Sequence, residues 1–261
     1  MLVVKAGGRV LQRNFDRLIE SVRKVNDKVV FVHGGGDQVT ETSKKLGIEP
    51  KFVVSPEGIR SRYTTKEELE VFIMVMSAIS RHMVERLSTT KRTIAISGAD
   101  GNAVLAERKK RIMIMDERGK KRIIEGGYTG KITSVNGGLF RQLMDFFDVI
   151  VVAPLAYDPT EPTLLNVDGD QMAFALAKEL KPDALLLLTD VDGVLVDQKV
   201  VERLSPEQAK ELSFKIGPGM NRKLLMASET VSSGVRRVII ANGLVDDPIS
   251  QALLGKGTVV E

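Results

Sequence analysis

The sequence contains no cysteine, which removes disulfide frameworks, thiolate zinc sites and cysteine nucleophiles and fits a reducing compartment. It has no tryptophan and only 5% aromatic residues, leaving little with which to stack nucleic-acid bases. Twenty-three glycines and nine prolines in 261 residues are too few for collagen-like or low-complexity chains. No apolar run approaches the ~18 residues of a membrane span. The opening residues MLVVKAGG read as a strand and a glycine turn, so no signal or transit peptide is expected and the expected location is cytoplasmic. What is present is 43% hydrophobic and 28% charged, enough for one large α/β domain or two tightly joined lobes.

Positive charge is concentrated. The net charge is +4, yet residues 107–131 hold nine Lys/Arg against four Asp/Glu, leaving 29 basic and 30 acidic residues elsewhere. A uniformly basic coat would point to nucleic acid. A single patch points to docking of an acidic partner, or else to a solvated, ion-rich hairpin.

Short apolar runs alternate with amphipathic stretches. Leu2–Lys5, Val29–His33, Thr93–Ser97, Val149–Ala153, Ala184–Leu188 and Arg237–Ala241 read as buried strands. Phe15, Leu18, Ile19, Val22 and Val25 keep helical spacing; Thr65 with Glu68 reads as a capping box opening a helix to about Leu87. Ser205-Pro206-Glu207 is a further helix start. This alternation predicts an α/β fold: an open, mostly parallel sheet sandwiched by helices. Lys51–Tyr63 and Val104–Ile124 read as β-hairpins at the mouth of that sheet, the second turning at Asp116-Glu117-Arg118-Gly119. If there are two lobes, the seam lies near Tyr157–Thr163.

Glycine turns follow the first two strands, Lys5-Ala6-Gly7-Gly8 and His33-Gly34-Gly35-Gly36. Such turns let backbone N–H groups approach phosphate oxygens in front of a helix N-terminus. Neither has the G-x-G-x-x-G spacing of dinucleotide sites. HGGG lacks the G-x-S-x-G partner of esterases, and GGYTGK has the wrong spacing for a Walker A loop. Downstream, Asn166-Val167-Asp168-Gly169-Asp170 precedes a helix, with Asp168 a ligand or simply an N-cap. Thr189-Asp190-Val191-Asp192-Gly193 ends a strand, and Pro218-Gly219-Met220-Asn221-Arg222-Lys223 opens a helix carrying a lysine in its first turns.

Taken in order, VVKAGG, FVHGGG, EGIR, LLNVDGD, LLLLTDVDGVL and GPGMNRK resemble the motifs of the amino acid kinase family, and within it the acetylglutamate kinase branch. GIRSRYT and GGYTGKI are similar to the members that phosphorylate 2-aminoadipate or glutamate attached to LysW, a small acidic amino-group carrier protein. The resemblance implies transfer of the γ-phosphoryl of ATP to a carboxylate. A carboxylate with pKa about 4 is ionised at pH 7 and needs no general base. Positioning and charge stabilisation then carry catalysis. The resemblance assigns Lys5 and Lys223 to the transferring group, with Asp170 orienting both. It assigns Gly7, Gly8, Thr189, Asp190 and Asp192 to the nucleotide, and Gly35, Gly36, Arg60, Arg62, Asn166 and Lys131 to the acceptor. Mg2+ would ride on the ATP phosphates rather than in a protein cage. Lys109, Lys110, Arg111, Lys120 and Lys121 would form one positive face docking LysW. Residues 1–160 would bind acceptor and carrier, and residues 161–261 would bind ATP.

Departures matter too. The N-V-N-A-D pattern of acetylglutamate kinases reads N-V-D-G-D here, and no extension precedes the first strand, so a homodimer is expected rather than a hexamer. Free N-acetylglutamate as acceptor, and a non-catalytic sensor on the same fold, are the alternatives; intact Lys5, Asp170 and Lys223 speak against the sensor. One methylene separates aminoadipate from glutamate, which a pocket resolves weakly.

Overall fold

The computed structural model describes all residues, 1–261. In chain order the elements are β1 (Leu2–Ala6), α1 (Gly8–Lys24), β2 (Val29–His33), α2 (Gly36–Lys45), β3 (Lys51–Val54), β4 (Arg60–Tyr63), α3 (Lys66–Leu87) and β5 (Thr93–Ile96). Next come β6 (Val104–Arg108), β7 (Arg111–Met115), β8 (Lys121–Glu125), β9 (Gly130–Val135), α4 (Gly137–Phe146), β10 (Val149–Val152), β11 (Leu155–Asp158) and β12 (Thr163–Asn166). The chain closes with α5 (Gly169–Leu180), β13 (Ala184–Thr189), β14 (Leu195–Val196), β15 (Lys199–Val200), β16 (Arg203–Leu204), α6 (Pro206–Ser213), α7 (Met220–Ser232), β17 (Val238–Asn242), α8 (Pro248–Leu253) and β18 (Thr258–Val260).

Eight strands form the central sheet in the order β16-β18-β17-β13-β1-β2-β10-β5. All pairs are parallel except β17–β18. The six apolar runs read from sequence are six of its strands. Period-2 alternation sends successive side chains to opposite faces, and both faces are covered. Val3, Val30, Val32, Ile150, Val152, Leu185, Leu187 and Ile240 pack with α5 and α7 residues such as Phe174 and Leu224. Leu2, Val4, Phe31, Val151, Leu186 and Ile239 pack against α1, α3 and α8 through Leu18, Met83 and Ile249. Strands β2, β10 and β5, from the N-terminal part, lie on one side of β1; β13, β17, β18 and β16 lie on the other. The prolines of the Tyr157–Thr163 segment sit in the turn joining β11 to β12.

Two local expectations are corrected. Residues 104–124 are not one hairpin: β6 pairs with β9 in a four-stranded sheet β12-β11-β6-β9, and the hairpin is β7–β8. The reason is burial. Val104 and Ala106 face the core, whereas β7 and β8 project into solvent and re-enter through Gly126-Gly127. Thr65 caps α3 by accepting from the Glu68 N–H at 3.2 Å, but the box does not close, because the Glu68 carboxylate takes Arg62 instead. The box predicted nowhere forms at Ser205, with Gln208.

Candidate active site

Parallel strands end together, so α1 and α2, which follow the adjacent strands β1 and β2, begin side by side, while α5 enters from β12 and α7 from the loop after α6. Helices α1, α2, α5 and α7 start around one cleft of about 830 Å3 at the carboxyl edge of the sheet, where Gly8, Gly36, Gly169 and Lys223 are lining residues. The caps of α1 and α2 are Gly7 and Gly35, which supply no side-chain oxygen, so the first N–H groups of these two helices are left for a ligand; in α7, capped by Gly219, Asn221 N donates to Gly217 O at 3.2 Å and Arg222 N to Asn221 Oδ1 at 2.6 Å. The two glycine turns touch. A Cβ on Gly34 would lie 2.8 Å from the Gly8 nitrogen, so the approach requires glycine. Helix α5 has a side-chain cap: Asp168 Oδ1 accepts from Asp170 N at 2.7 Å and Gln171 N at 3.3 Å. Asp168 is thus the N-cap, and Asp170 is free to face the cleft.

Asp170 holds two ammonium groups. Lys5 Nζ lies 2.8 Å from Oδ1, and Lys223 Nζ donates to Oδ2. The three side chains are 13%, 20% and 13% exposed for Lys5, Lys223 and Asp170. Burial opposes ionisation of Asp170, but the charges of Lys5 and Lys223 override it and hold the carboxyl well below the usual range. Burial likewise works against the Lys5 charge; Asp170 reverses this and raises its pKa. Gly169 permits the arrangement, since a Cβ there would sit 3.3 Å from Lys5 Cε.

The other side of the cleft is roofed by the β3–β4 hairpin. Arg60 stacks over Phe52 at 3.8 Å and has no ion-pair partner, leaving its guanidinium available. Arg62 is already committed: it donates to Glu68 Oε1 at 3.0 Å, Gly36 O at 2.9 Å and Thr40 Oγ1 at 2.5 Å. It ties the hairpin to α2 and α3 instead of presenting a free charge. Asn166 donates to Thr64 Oγ1 at 2.8 Å and lines the cleft with Gly35 and Gly36.

The sequence pattern of the amino acid kinase family matches residues 1–242. The chain belongs to the amino acid kinase family. A Sulfolobus acidocaldarius LysW-aminoadipate/LysW-glutamate kinase is 67% identical to it over 261 residues, covering 100% of both chains. A protein of the same name from Saccharolobus islandicus is 61% identical, covering 100% of this chain and 99% of that one. Among solved structures, carbamate kinase from Giardia lamblia bound to AMP-PNP superposes with TM-score 0.67 at 18% identity, covering 99% of this chain and 97% of that one. N-acetylglutamate synthase from Neisseria gonorrhoeae gives TM-score 0.80 at 22% identity, covering 99% of this chain and 58% of that one. These two likenesses bear out the fold. The family read from six ordered motifs is likewise borne out.

Other residues of this amino acid kinase that the motifs singled out lie outside the cleft lining. Thr189 ends β13, and Asp190 and Asp192 follow it at the same carboxyl edge; Asp190 pairs with Arg9 at 2.9 Å and Asp192 accepts from Asn242 at 2.7 Å. Lys131 is exposed on β9, opposite Glu107. The basic residues are spread along and beside the β7–β8 hairpin. Arg111 stands at the base of the β7–β8 hairpin, while Lys120 and Lys121 stand at its tip, about 14 Å away at a strand rise of about 3.4 Å per residue. Lys110 faces Glu161 at 3.6 Å, and Arg108 turns inward between Glu125 and Glu161, over the Tyr128 ring. Lys109 lines the cleft itself. Sequence reasoning assigned no role to Gly34, Phe52, Thr64 and Arg222, though Gly34 lies inside HGGG, Thr64 inside GIRSRYT and Arg222 inside GPGMNRK.

Proposed function

We propose that the protein transfers the γ-phosphoryl group of ATP to the side-chain carboxylate of 2-aminoadipate or glutamate carried on LysW, forming an acyl phosphate in lysine biosynthesis. The observation that carries this reading is 67% identity over the full length of a relative bearing that name, with the Lys5–Asp170–Lys223 cluster intact. Lys5 and Lys223 meet the transferring phosphoryl and its leaving oxygen, and Asp170 fixes both ammonium groups without itself contacting substrate. Gly8 and Gly35 donate N–H groups to phosphate oxygens, beside Gly7, whose own N–H donates to Leu188 O at 3.4 Å. Arg60 takes the acceptor's second carboxylate, and Asn166 helps to orient it. Thr189, Asp190 and Asp192 border the nucleotide. The division is residues 1–160 for acceptor and carrier and 161–261 for ATP, with β1 between them.

No histidine is needed. His33 is fully buried beneath the cleft and contacts Ser80 Oγ at 2.8 Å; burial pushes its pKa down to about 4, so it is a neutral structural group. The cleft's carboxylates suit a metal carried by substrate: Asp170 is taken by two lysines, and Asp168 by two N–H groups and Arg222. Mg2+ held by the ATP phosphates would supply further neutralisation of developing charge. No helix is long and apolar enough to cross a membrane; we place the enzyme in the cytoplasm as a homodimer. The exposed Lys110, Arg111, Lys120 and Lys121 serve as the attracting surface for the acidic carrier.

Purified protein incubated with ATP and aminoadipyl-LysW, glutamyl-LysW or free N-acetylglutamate, with hydroxylamine trapping of acyl phosphate, tests the reading. Hydroxamate should form on carrier-bound acceptors. Turnover with N-acetylglutamate alone would assign the acetylglutamate kinase reaction, and turnover with none would reject catalysis on this acceptor class.

A further inference from the structure

Beside the Lys5–Asp170–Lys223 cluster lies a second cationic group that the reaction has not used. Lys109 and Arg222 line the cleft beside one carboxylate, Asp168. Arg222 Nη1 is 3.7 Å from Asp168 Oδ2. Lys109 is exposed at the cleft wall, and desolvation there with the nearby charges of Arg222 and Lys131 lowers its pKa against the pull of Asp168. Asp168 already spends Oδ1 on capping α5. Lys109 has no ion-pair partner, so two positive charges, Lys109 and Arg222, stand beside one negative.

The backbone holds Lys109 there. Its N–H donates to Thr129 O at 2.9 Å, and Gly126 N donates to Lys110 O at 3.0 Å. Its carbonyl oxygen occupies the space of a side chain at 126: a Cβ on Gly126 would fall 1.5 Å from it. Only glycine allows this crossing, and the crossing is what brings residue 109 to the cleft, away from the rest of the basic hairpin.

Charge counting then distinguishes a free acceptor from a carried one. An N-acyl dicarboxylic amino acid brings two carboxylates, one reacting at Lys5 and Lys223 and one for Arg60. The ATP phosphates have the glycine turns. Nothing in that set uses the excess positive charge at Lys109 and Arg222. We infer that Lys109 and Arg222 form an anion pocket that binds a carboxylate of the carrier chain itself, next to the point where the amino acid is attached. This rests on the carrier-bound reading of the substrate and says which part of the carrier enters the cleft.

The test measures KM for aminoadipyl-LysW and for ATP in wild type, Lys109→Gln, Arg222→Gln and Lys109→Arg. Melting temperature and direct titration of aminoadipyl-LysW binding are followed alongside. Each Gln variant should raise the carrier-substrate KM and Kd at least about tenfold, the scale of one lost hydrogen bond to a charged group. ATP KM and melting temperature should hold, and Lys109→Arg should keep most of the affinity. Neutralising LysW carboxylates one at a time should find one whose loss makes Lys109→Gln cost nothing further. Unchanged carrier KM in both Gln variants overturns the pocket while leaving the kinase reading intact. An ATP KM that rises as much overturns it in favour of a phosphate site. Wild-type protein inert toward aminoadipyl-LysW overturns both.

Discussion

Replacing Asp170 with Asn keeps the shape of the side chain and removes its charge, so it isolates what the carboxylate does. In the native cleft Asp170 is paired with two lysines, all three side chains at most 20% exposed. The variant leaves two ammonium groups facing each other and one amide. Breaking a buried ion pair by removing one partner costs about 3–5 kcal/mol, since the remaining charge is desolvated without compensation. The open cleft gives the lysines partial access to water, which favours the lower end, about 3 kcal/mol. For a chain of this size that is a fall in melting temperature of about 6–12 °C. Turnover should fall at least ~100-fold, as when a preorganised electrostatic donor is displaced. ATP brings negative charge to the same lysines, so it should raise the melting temperature of the variant by more than it raises that of wild type. Asp168→Asn is the comparison: Asn caps a helix nearly as well as Asp, so α5 should be stable to within a few tenths of a kcal/mol. Scanning calorimetry with and without nucleotide, together with steady-state turnover, decides the matter. An Asp170→Asn protein that melts within about 2 °C of wild type and turns over within tenfold would refute the orienting role.

Lys5→Ala and Lys223→Ala should each reduce turnover by ~100-fold or more with far-UV circular dichroism unchanged; near-normal rates in both would remove the phosphoryl site from this cleft. Gly34→Ala should abolish activity by forcing the two glycine turns apart, whereas Gly36→Ala, where a Cβ meets nothing within 4 Å, should retain fold and measurable turnover; equal damage in both would mean the contact is unimportant. His33 has a folded pKa of about 4 against an ordinary ~6.5, so the folded state binds fewer protons. Its stabilising contribution is therefore complete above pH 6.5 and is lost as pH falls toward 4, by about 3 kcal/mol in all. A His33→Asn protein should show a correspondingly shallower fall of melting temperature between pH 7 and 4.5, and an identical slope would contradict the burial argument. Asp170 is held below the usual carboxylate range and Lys5 above the usual ammonium value, so neither changes charge between pH 5 and 9. With a carboxylate acceptor, kcat should be flat across that window; a bell centred near neutrality would point to a general base.

Much of the fold was legible because its information is periodic. Apolar runs such as Val29–His33 and Ala184–Leu188 fill both faces of a covered sheet, and little else accommodates them. The hairpin register was not legible. Val104–Arg108 and Arg111–Met115 both alternate, and what separates them is burial of Val104 and Ala106 against the four-stranded sheet, a long-range fact. Side-chain partners were hidden for a similar reason. Thr65 and Glu68 fit a capping box, but Glu68 lies 3.0 Å from Arg62, and a full charge on a buried guanidinium outbids a backbone N–H. Local spacing proposes partners; the fold decides among them.

The same distinction governs how the basic residues divide. As a run in the sequence, residues 108–111 and 118–122 are interchangeable charges. In three dimensions each has a different electrostatic setting: Arg108 is satisfied by two glutamates and an aromatic face, Lys120 and Lys121 are solvated at a hairpin tip, and Lys109 is drawn into the cleft. Solvated charges act over about a Debye length and mainly affect encounter rate, so their effect weakens with salt. A charge inside the cleft acts at contact on a desolvated partner and is screened much less. Carrier association should therefore split into a salt-sensitive rate set at the hairpin tip and a less salt-sensitive affinity set by Lys109. Residue-by-residue geometry, rather than net charge, determines which of the two a given lysine controls.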